Sequence, residues 1–336
     1  MRTMRPRSAS MSQLAKPDST TYPFPRPQAW ARPRRPYVMG GFQVVPADAP
    51  IGAEIRGVDF SKRLNDTTIN ALHEAWADHS ILIWREQDLS VEDQLRAGRI
   101  FGELEEMTHV AVEDELPPEV LLIDNEPEFN QDLASAPEKY SRGLQAKPLR
   151  WHSDNSYRDV PPRGSLFYVR IAPPTGGITH FLNMYDAYND LPEDLLAAIE
   201  GRWSKQDRTL NSADTIQPGR TPPDDVSTAD SVEHPLARVH AGTGRIALYL
   251  GRRQYQYICG LPVEDSEVLL DKLWAYAQQE KFIWRRTEQR AGDLILWDNR
   301  CAMHSRDPFD PNHRRIAHRV QMAGEPVVAP WPRVDG

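Results

Sequence analysis

His152 and Asp154 stand two residues apart in the run RWHSDNSY, residues 150 to 157. Along an extended segment residues i and i+2 face the same side, so an imidazole and a carboxylate at this spacing can reach one divalent ion. Of the chain's ten histidines, only this one is followed two positions later by a carboxylate. By itself the pair is equally well a polar turn, and a metal centre needs a third ligand from elsewhere. His304, just past the apolar run DLILWD, is the candidate. Two imidazoles and one carboxylate on one face of an octahedron leave three positions open, which is the ligand pattern of non-haem Fe(II) oxygen chemistry. Farther on, Arg315 and Arg319 lie four apart in RRIAHR and share one side of an extended strand. Two inward guanidiniums are costly unless they meet anions; a salt-bridged surface strand is the alternative.

These side chains need strands to hold them. ILIW (81–84), VLLID (120–124), SLFYVRIA (165–172), GITHFLNM (177–184), ARVHAGTGRIALYLG (237–251), KFIWRR (281–286) and DLILWD (293–298) read as strands between Pro or Gly turns. Ile69, Leu72 and Trp76 recur at helical spacing. A second helix follows the N-cap candidate Ser90 and ends at Gly102. Further helices start near Pro192, stopping at Gly201, and carry Leu270, Leu273, Trp274 and Ala277 on one face. Many strands with a few inserted helices predict a mainly β fold, a double-sheet jelly roll clad by helices.

The 336 residues carry 40 Lys and Arg against 48 Asp and Glu, a net charge of −8 that argues against a nucleic-acid binder. Residues 1 to about 40 are rich in Ser, Pro and Arg, with Asp18 the one acid before residue 37; they read as a disordered or surface-hugging arm. Residues 41–330 then form a single domain. Two cysteines, Cys259 and Cys301, are too few for a disulfide framework and suit a reducing cytoplasm. No apolar run is long enough to span a membrane. The polar segments 125–148 and 211–233 lack periodicity and are the expected lids.

In order and spacing, His152-x-Asp154, PPTGGITHF, LWDNRCAMH and RRIAHR resemble the taurine/2,4-D dioxygenase family of Fe(II)- and 2-oxoglutarate-dependent oxygenases. GAEIRGVDF and RIFGEL extend the resemblance from about Ile51 to Gly324, and HPLARVHAGTGRIALYLG brings it nearer the aryloxyalkanoate branch. The resemblance implies a double-stranded β-helix of the clavaminate synthase-like type. It implies Fe(II) on His152, Asp154 and His304, with 2-oxoglutarate and O2 as cosubstrates. Arg315 is then expected to pair with the distal carboxylate of 2-oxoglutarate, helped by the Thr179 hydroxyl. Arg319 is expected to reach the anionic head of a small organic substrate such as an aryloxyalkanoate, sulfonate, sulfate ester or carboxylate, releasing succinate and CO2. Self-association is common in such folds.

Two departures bear on the substrate. The family's taurine enzymes carry a substrate-contacting histidine where this chain has Met107, with His109 displaced by two positions, and an asparagine where this chain has Pro148. Taurine is therefore disfavoured, and His109 stands as a candidate substrate contact against a plain loop histidine. Two other readings use the same triad: a zinc hydrolase, which leaves Thr179, Arg315 and Arg319 without roles, and a non-catalytic jelly-roll sensor.

Overall fold

The computed structural model describes residues 32–106, 116–125 and 146–334. Its largest sheet has eight strands in the order β1 (Tyr37–Met39), β2 (Phe42–Pro46), β3 (Ala53–Arg56), β4 (Ile81–Trp84), β15 (Leu294–Asp298), β7 (Gly164–Ile171), β17 (Ile316–Met322) and β5 (Leu121–Asp124). All neighbours are antiparallel except β3 and β4. Facing it is a four-stranded sheet ordered β14 (Ile283–Trp284), β8 (Thr179–Asn183), β16 (Ala302–Arg306) and β6 (Leu149–His152). A three-stranded sheet, β10 (Val232–Pro235), β9 (Trp203–Gln206) and β13 (Tyr257–Ile258), and a hairpin, β11 (Ala237–Val239) with β12 (Ile246–Leu248), complete the β structure.

Strand alternation explains why β4, β7 and β15 read as nearly unbroken apolar runs: both faces are buried. Ile81, Ile83, Phe167, Val169, Ile295 and Trp297 point between the sheets, where Phe181 and Ala302 of the smaller sheet meet them. Their neighbours Leu82, Trp84, Leu166, Tyr168, Leu294 and Leu296 point the other way, under helices α1 (Asp66–His79) and α2 (Val91–Phe101). Each such side chain contributes roughly 1.5–3 kcal/mol by leaving water. A third apolar layer covers the outer face of the smaller sheet. There Leu182 and Met303 pack under α3 (Met184–Asn189), α4 (Glu193–Ile199) and α5 (Val263–Ala277). The expected helix-clad jelly roll is therefore two facing sheets with helices on both outer faces.

Helix α2 follows its end signals closely. Ser90 accepts from the Asp93 backbone N–H while Asp93 accepts from Ser90, a reciprocal cap, and Gly102 closes the helix. Elsewhere local signals misled. Residues 237–251 form a hairpin rather than one strand, because His240 Nδ1 accepts from the Gly242 and Thr243 backbone and closes a turn. In GITHFLNM the strand stops at Asn183, whose side chain accepts from Tyr185 and Asp186 and starts α3. In KFIWRR a 3-10 turn, Glu280–Phe282, leaves only two strand residues.

The folded part also begins before residue 41. Arg32 is buried, donating to backbone carbonyls of Ala47, Ala49 and Gly52, and Tyr37–Met39 pairs with β2. Residues 1–31 of the predicted arm and 126–145 of the first predicted lid lie outside the described residues. The second, 211–233, is tied down at its start: Arg150 N donates to Ser212 O, and Asp214 accepts from Arg150 and Gln254. Among the described residues no helix is long and apolar enough to cross a membrane.

Candidate active site

The two sheets converge on His152, Asp154 and His304. His152 ends β6, and His304 lies directly opposite it in the β16–β6 register, so the rings meet at 4.1 Å between centroids. Sequence reading put His304 just past the preceding strand; it sits in the middle of a strand of its own. Asp154 falls two residues beyond the end of β6, at the start of a turn in which Asn155 takes a positive φ of 49°. Its Oδ1 is 3.8 Å from His152 Nε2 and 3.9 Å from His304 Nε2. One ligand atom from each of the three residues lies within 4.8 Å of the others, and all three residues are buried.

The surroundings prepare these groups to hold a divalent cation. His152 Nδ1 donates to the Arg150 carbonyl at 2.7 Å, which leaves the Nε2 lone pair directed at the cluster. Burial pushes both imidazoles down, His304 to about 4, so they are neutral bases near pH 7. Burial would raise the Asp154 carboxyl, but neighbouring positive charge, Arg319 foremost, outweighs it and holds Asp154 well below the usual carboxylate range. Two neutral nitrogens and one anionic oxygen fit Fe(II) better than a thiolate-seeking metal.

Asp154 is oriented from both ends. Ser165 Oγ donates to its Oδ2 at 3.1 Å. Asn299 clamps its backbone, accepting from Asp154 N at 2.7 Å and donating to Asp154 O at 2.9 Å and Pro162 O at 3.0 Å. Replacing Asn299 with Ala orphans three buried backbone groups. We expect a loss of about 2–3 kcal/mol in stability and roughly a 10- to 100-fold loss in metal affinity, read by denaturant melts and Fe(II) titration. A variant that melts normally and binds metal normally would remove Asn299 from the site.

The cosubstrate candidates cluster on the adjoining strands. Thr179 opens β8, and Arg315 is 4 % exposed just before β17, its guanidinium over the Phe167 ring at 5.4 Å. The register shift between Ile316 and Ala317 takes Arg315 out of the regular strand, yet it still faces inward while Arg314 pairs outward with Asp124. Gly177, at φ 65°, lets the turn before Thr179 lie against Arg315: a Cβ there would stand 3.3 Å from Arg315 Cδ. Burial lowers the Arg315 guanidinium to about 10, and its Nε has no partner among the described residues. Arg306, missed by sequence reading, is buried directly across from Thr179. Its position two residues past His304, on the same strand face, was the available signal.

Arg319 Nη1 donates to Asp154 Oδ1 at 3.0 Å, which places this arginine against the cluster. Trp151 and Trp297 are core walls, Trp297 packing on His304 at 4.8 Å between rings. His109 lies outside the described residues. A second group, His240, Asp298 and Cys301, also gathers potential ligand atoms. There, however, both His240 nitrogens are engaged and Arg300 forks onto Asp298, so it is a closed polar network.

Residues 43–321 match the family model described as taurine catabolism dioxygenase TauD, TfdA family. The chain is 32% identical over 293 residues to an (S)-phenoxypropionate/alpha-ketoglutarate-dioxygenase of Sphingobium herbicidovorans, covering 85% of this chain and 96% of that one. It is 31% identical over 303 residues to an alpha-ketoglutarate-dependent sulfate ester dioxygenase of Pseudomonas putida, covering 87% and 92%. A crystal structure of a taurine dioxygenase from Burkholderia xenovorans superposes with a TM-score of 0.69 at 28% identity, covering 86% and 92%. The predicted jelly roll agrees with that likeness. The chain thus belongs to the TauD, TfdA family of Fe(II)- and 2-oxoglutarate-dependent dioxygenases.

Proposed function

We propose that the chain oxidises a small anionic organic substrate at a centre formed by His152, Asp154 and His304, with Arg315 and Thr179 holding the cosubstrate. The observation that carries this reading is the buried His152–Asp154–His304 cluster, with a buried arginine and a threonine on the strands beside it. When bound there, Fe(II), 2-oxoglutarate and O2 supply oxidising power: 2-oxoglutarate is converted to succinate and CO2 and a substrate C–H bond is hydroxylated.

The protein's part is positional. His152 and His304 present neutral nitrogens and Asp154 an anionic oxygen, in orientations set by Arg150, Asn299 and Ser165. Arg315 offers a planar fork to the distal carboxylate of 2-oxoglutarate, and the Thr179 hydroxyl a further donor. The Phe167, Phe181 and Trp297 side chains keep the inner wall apolar and exclude water. Arg319 reaches the anionic head of the primary substrate. Relatives named for phenoxypropionate, 2,4-dichlorophenoxyacetate and sulfate esters all act on such anions, which supports this substrate class. Hydroxylation of a carbon that bears an ether oxygen, a sulfonate sulfur or a sulfate-ester oxygen then gives an adduct that collapses to a carbonyl compound and releases the leaving group. The polar run 211–233 is the lid in this reading, and a reducing cytoplasm suits the two unbridged thiols.

The test is a panel of aryloxyalkanoates, alkyl sulfates, sulfonates and carboxylates assayed for succinate with Fe(II), ascorbate and 2-oxoglutarate. Substrate-stimulated succinate supports the reading. A zinc hydrolase or a sensor makes none, and its absence across the panel would overturn the proposal.

A further inference from the structure

Side chains alternate along β17, so Gln321 lies on the same inward face as Arg319, one step farther along the strand. In the β17–β7 register Gln321 stands directly opposite Ser165, and both residues are fully buried. A primary amide carries donors at one end and an acceptor at the other, so its partners fix which way round it sits.

Asp154, as a carboxylate, only accepts, and the single proton of the Ser165 hydroxyl goes to its Oδ2 at 3.1 Å. Ser165 Oγ is then left to accept, which turns Gln321 Nε2 toward it at 3.2 Å. Gln321 Oε1 consequently faces the Asn155 side chain, whose Nδ2 donates to it at 3.1 Å. Asn155 is held this way round from its other end, where Oδ1 accepts from the Tyr157 hydroxyl at 2.9 Å. The hydrogen bonds therefore all run in one direction, from Tyr157 through Asn155, Gln321 and Ser165 to Asp154 Oδ2. The other carboxylate oxygen, Oδ1, lies 3.8 and 3.9 Å from the two imidazole Nε2 atoms and accepts from Arg319.

We propose that Gln321 is a positioning residue for the metal site: its amide dictates where the Ser165 hydroxyl points, and that hydroxyl holds the Asp154 carboxylate with Oδ1 presented to a divalent cation. A carboxylate without this tether has to be ordered at the moment of metal capture, and the ordering costs affinity. The inference rests on Asp154 being a metal ligand, as proposed above, and extends that site outward to Gln321 and Asn155.

Gln321→Glu keeps the volume but puts an acceptor where Ser165 needs a donor, so the hydroxyl turns from Asp154 to the introduced carboxylate. In calorimetric titration of the full chain with Mn(II) alone, this variant is expected to bind roughly 10- to 100-fold more weakly than wild type, and Ser165→Ala to lose about as much. Added negative charge by itself would tighten a cation, so a loss has to come through the hydrogen bonds. In the Ser165→Ala background Gln321→Glu should cause no further loss, because both changes remove the same bond to Asp154. If Gln321→Glu does not fold, Asn155→Asp serves at a half-buried position whose left-handed backbone aspartate also tolerates. An acceptor there draws the Gln321 amide round, Oε1 then faces Ser165, and the same loss is expected, again erased by Ser165→Ala. Unchanged or tighter Mn(II) binding in the folded variant overturns the proposal. So does a loss that persists in full when Ser165 is already replaced, since a general packing defect would not depend on that hydroxyl. Failure of the parent reading shows separately, as Mn(II) affinity that Asp154→Ala leaves at the wild-type value.

Discussion

His152→Ala abolishes Fe(II)- and 2-oxoglutarate-dependent succinate release, with a fall of at least about three orders of magnitude, equivalent to roughly 4 kcal/mol of lost transition-state stabilisation. The proposed site needs both imidazoles, because Asp154 Oδ1 stands 3.8 and 3.9 Å from the two Nε2 atoms and, among the described residues, no third histidine is part of that group. Folding should survive, since His152 closes a strand and its side chain faces the cluster rather than the apolar layers. The measurements are succinate formation and Fe(II) binding, with a thermal melt as control. A well-folded variant that keeps wild-type turnover would falsify the ligand assignment.

Arg315→Leu has the second largest expected effect, and of a different kind. The KM for 2-oxoglutarate rises by about 100-fold, corresponding to roughly 2–3 kcal/mol for a charge-assisted pair, while kcat at saturating cosubstrate changes much less. Arg315→Lys restores part of the loss, because it keeps the charge without the planar fork. Stability moves the other way or stays level: burial already disfavours the charged guanidinium, so an apolar side chain of similar size relieves that penalty. A variant that melts far below wild type with an unchanged KM would make Arg315 a structural residue. The KM, kcat and melting temperature together separate the two outcomes.

How far the site could be read from sequence depended on how local each signal was. His152 and Asp154 are two residues apart, and Arg315 and Arg319 four apart, so a strand period brought each pair to notice, although Asp154 lies in a turn and Arg315 just before β17. Helix α2 was legible from Ser90 to Gly102 because its cap and stop are side-chain chemistry written at its ends. Strand β16 was not, because AMHSR has neither an apolar run nor β-branched residues. Pairing with β8 and β6 makes it a strand, and that lies outside its own sequence. The partners of Asn299 and Arg252 were not legible, for the same reason. Each residue acts on Asp154 or its turn across a large separation in the chain, through contacts that exist only after the sheets have closed. The hairpin within 237–251 turned on His240 serving as a local acceptor, a role no periodicity announces.

On the proposed ligand set, the direct opposition of His152 and His304 in neighbouring antiparallel strands would tie metal capture to correct assembly of the sheet. A slip of one residue between β6 and β16 would carry the His304 imidazole to the opposite face, under the helices, and leave the ion with two ligands at most. Mispaired forms gain nothing from the ion, so its binding free energy is added to the correctly paired form alone. In a fold whose strands lie far apart along the chain, an ion held by these ligands would double as a proofreader of strand alignment.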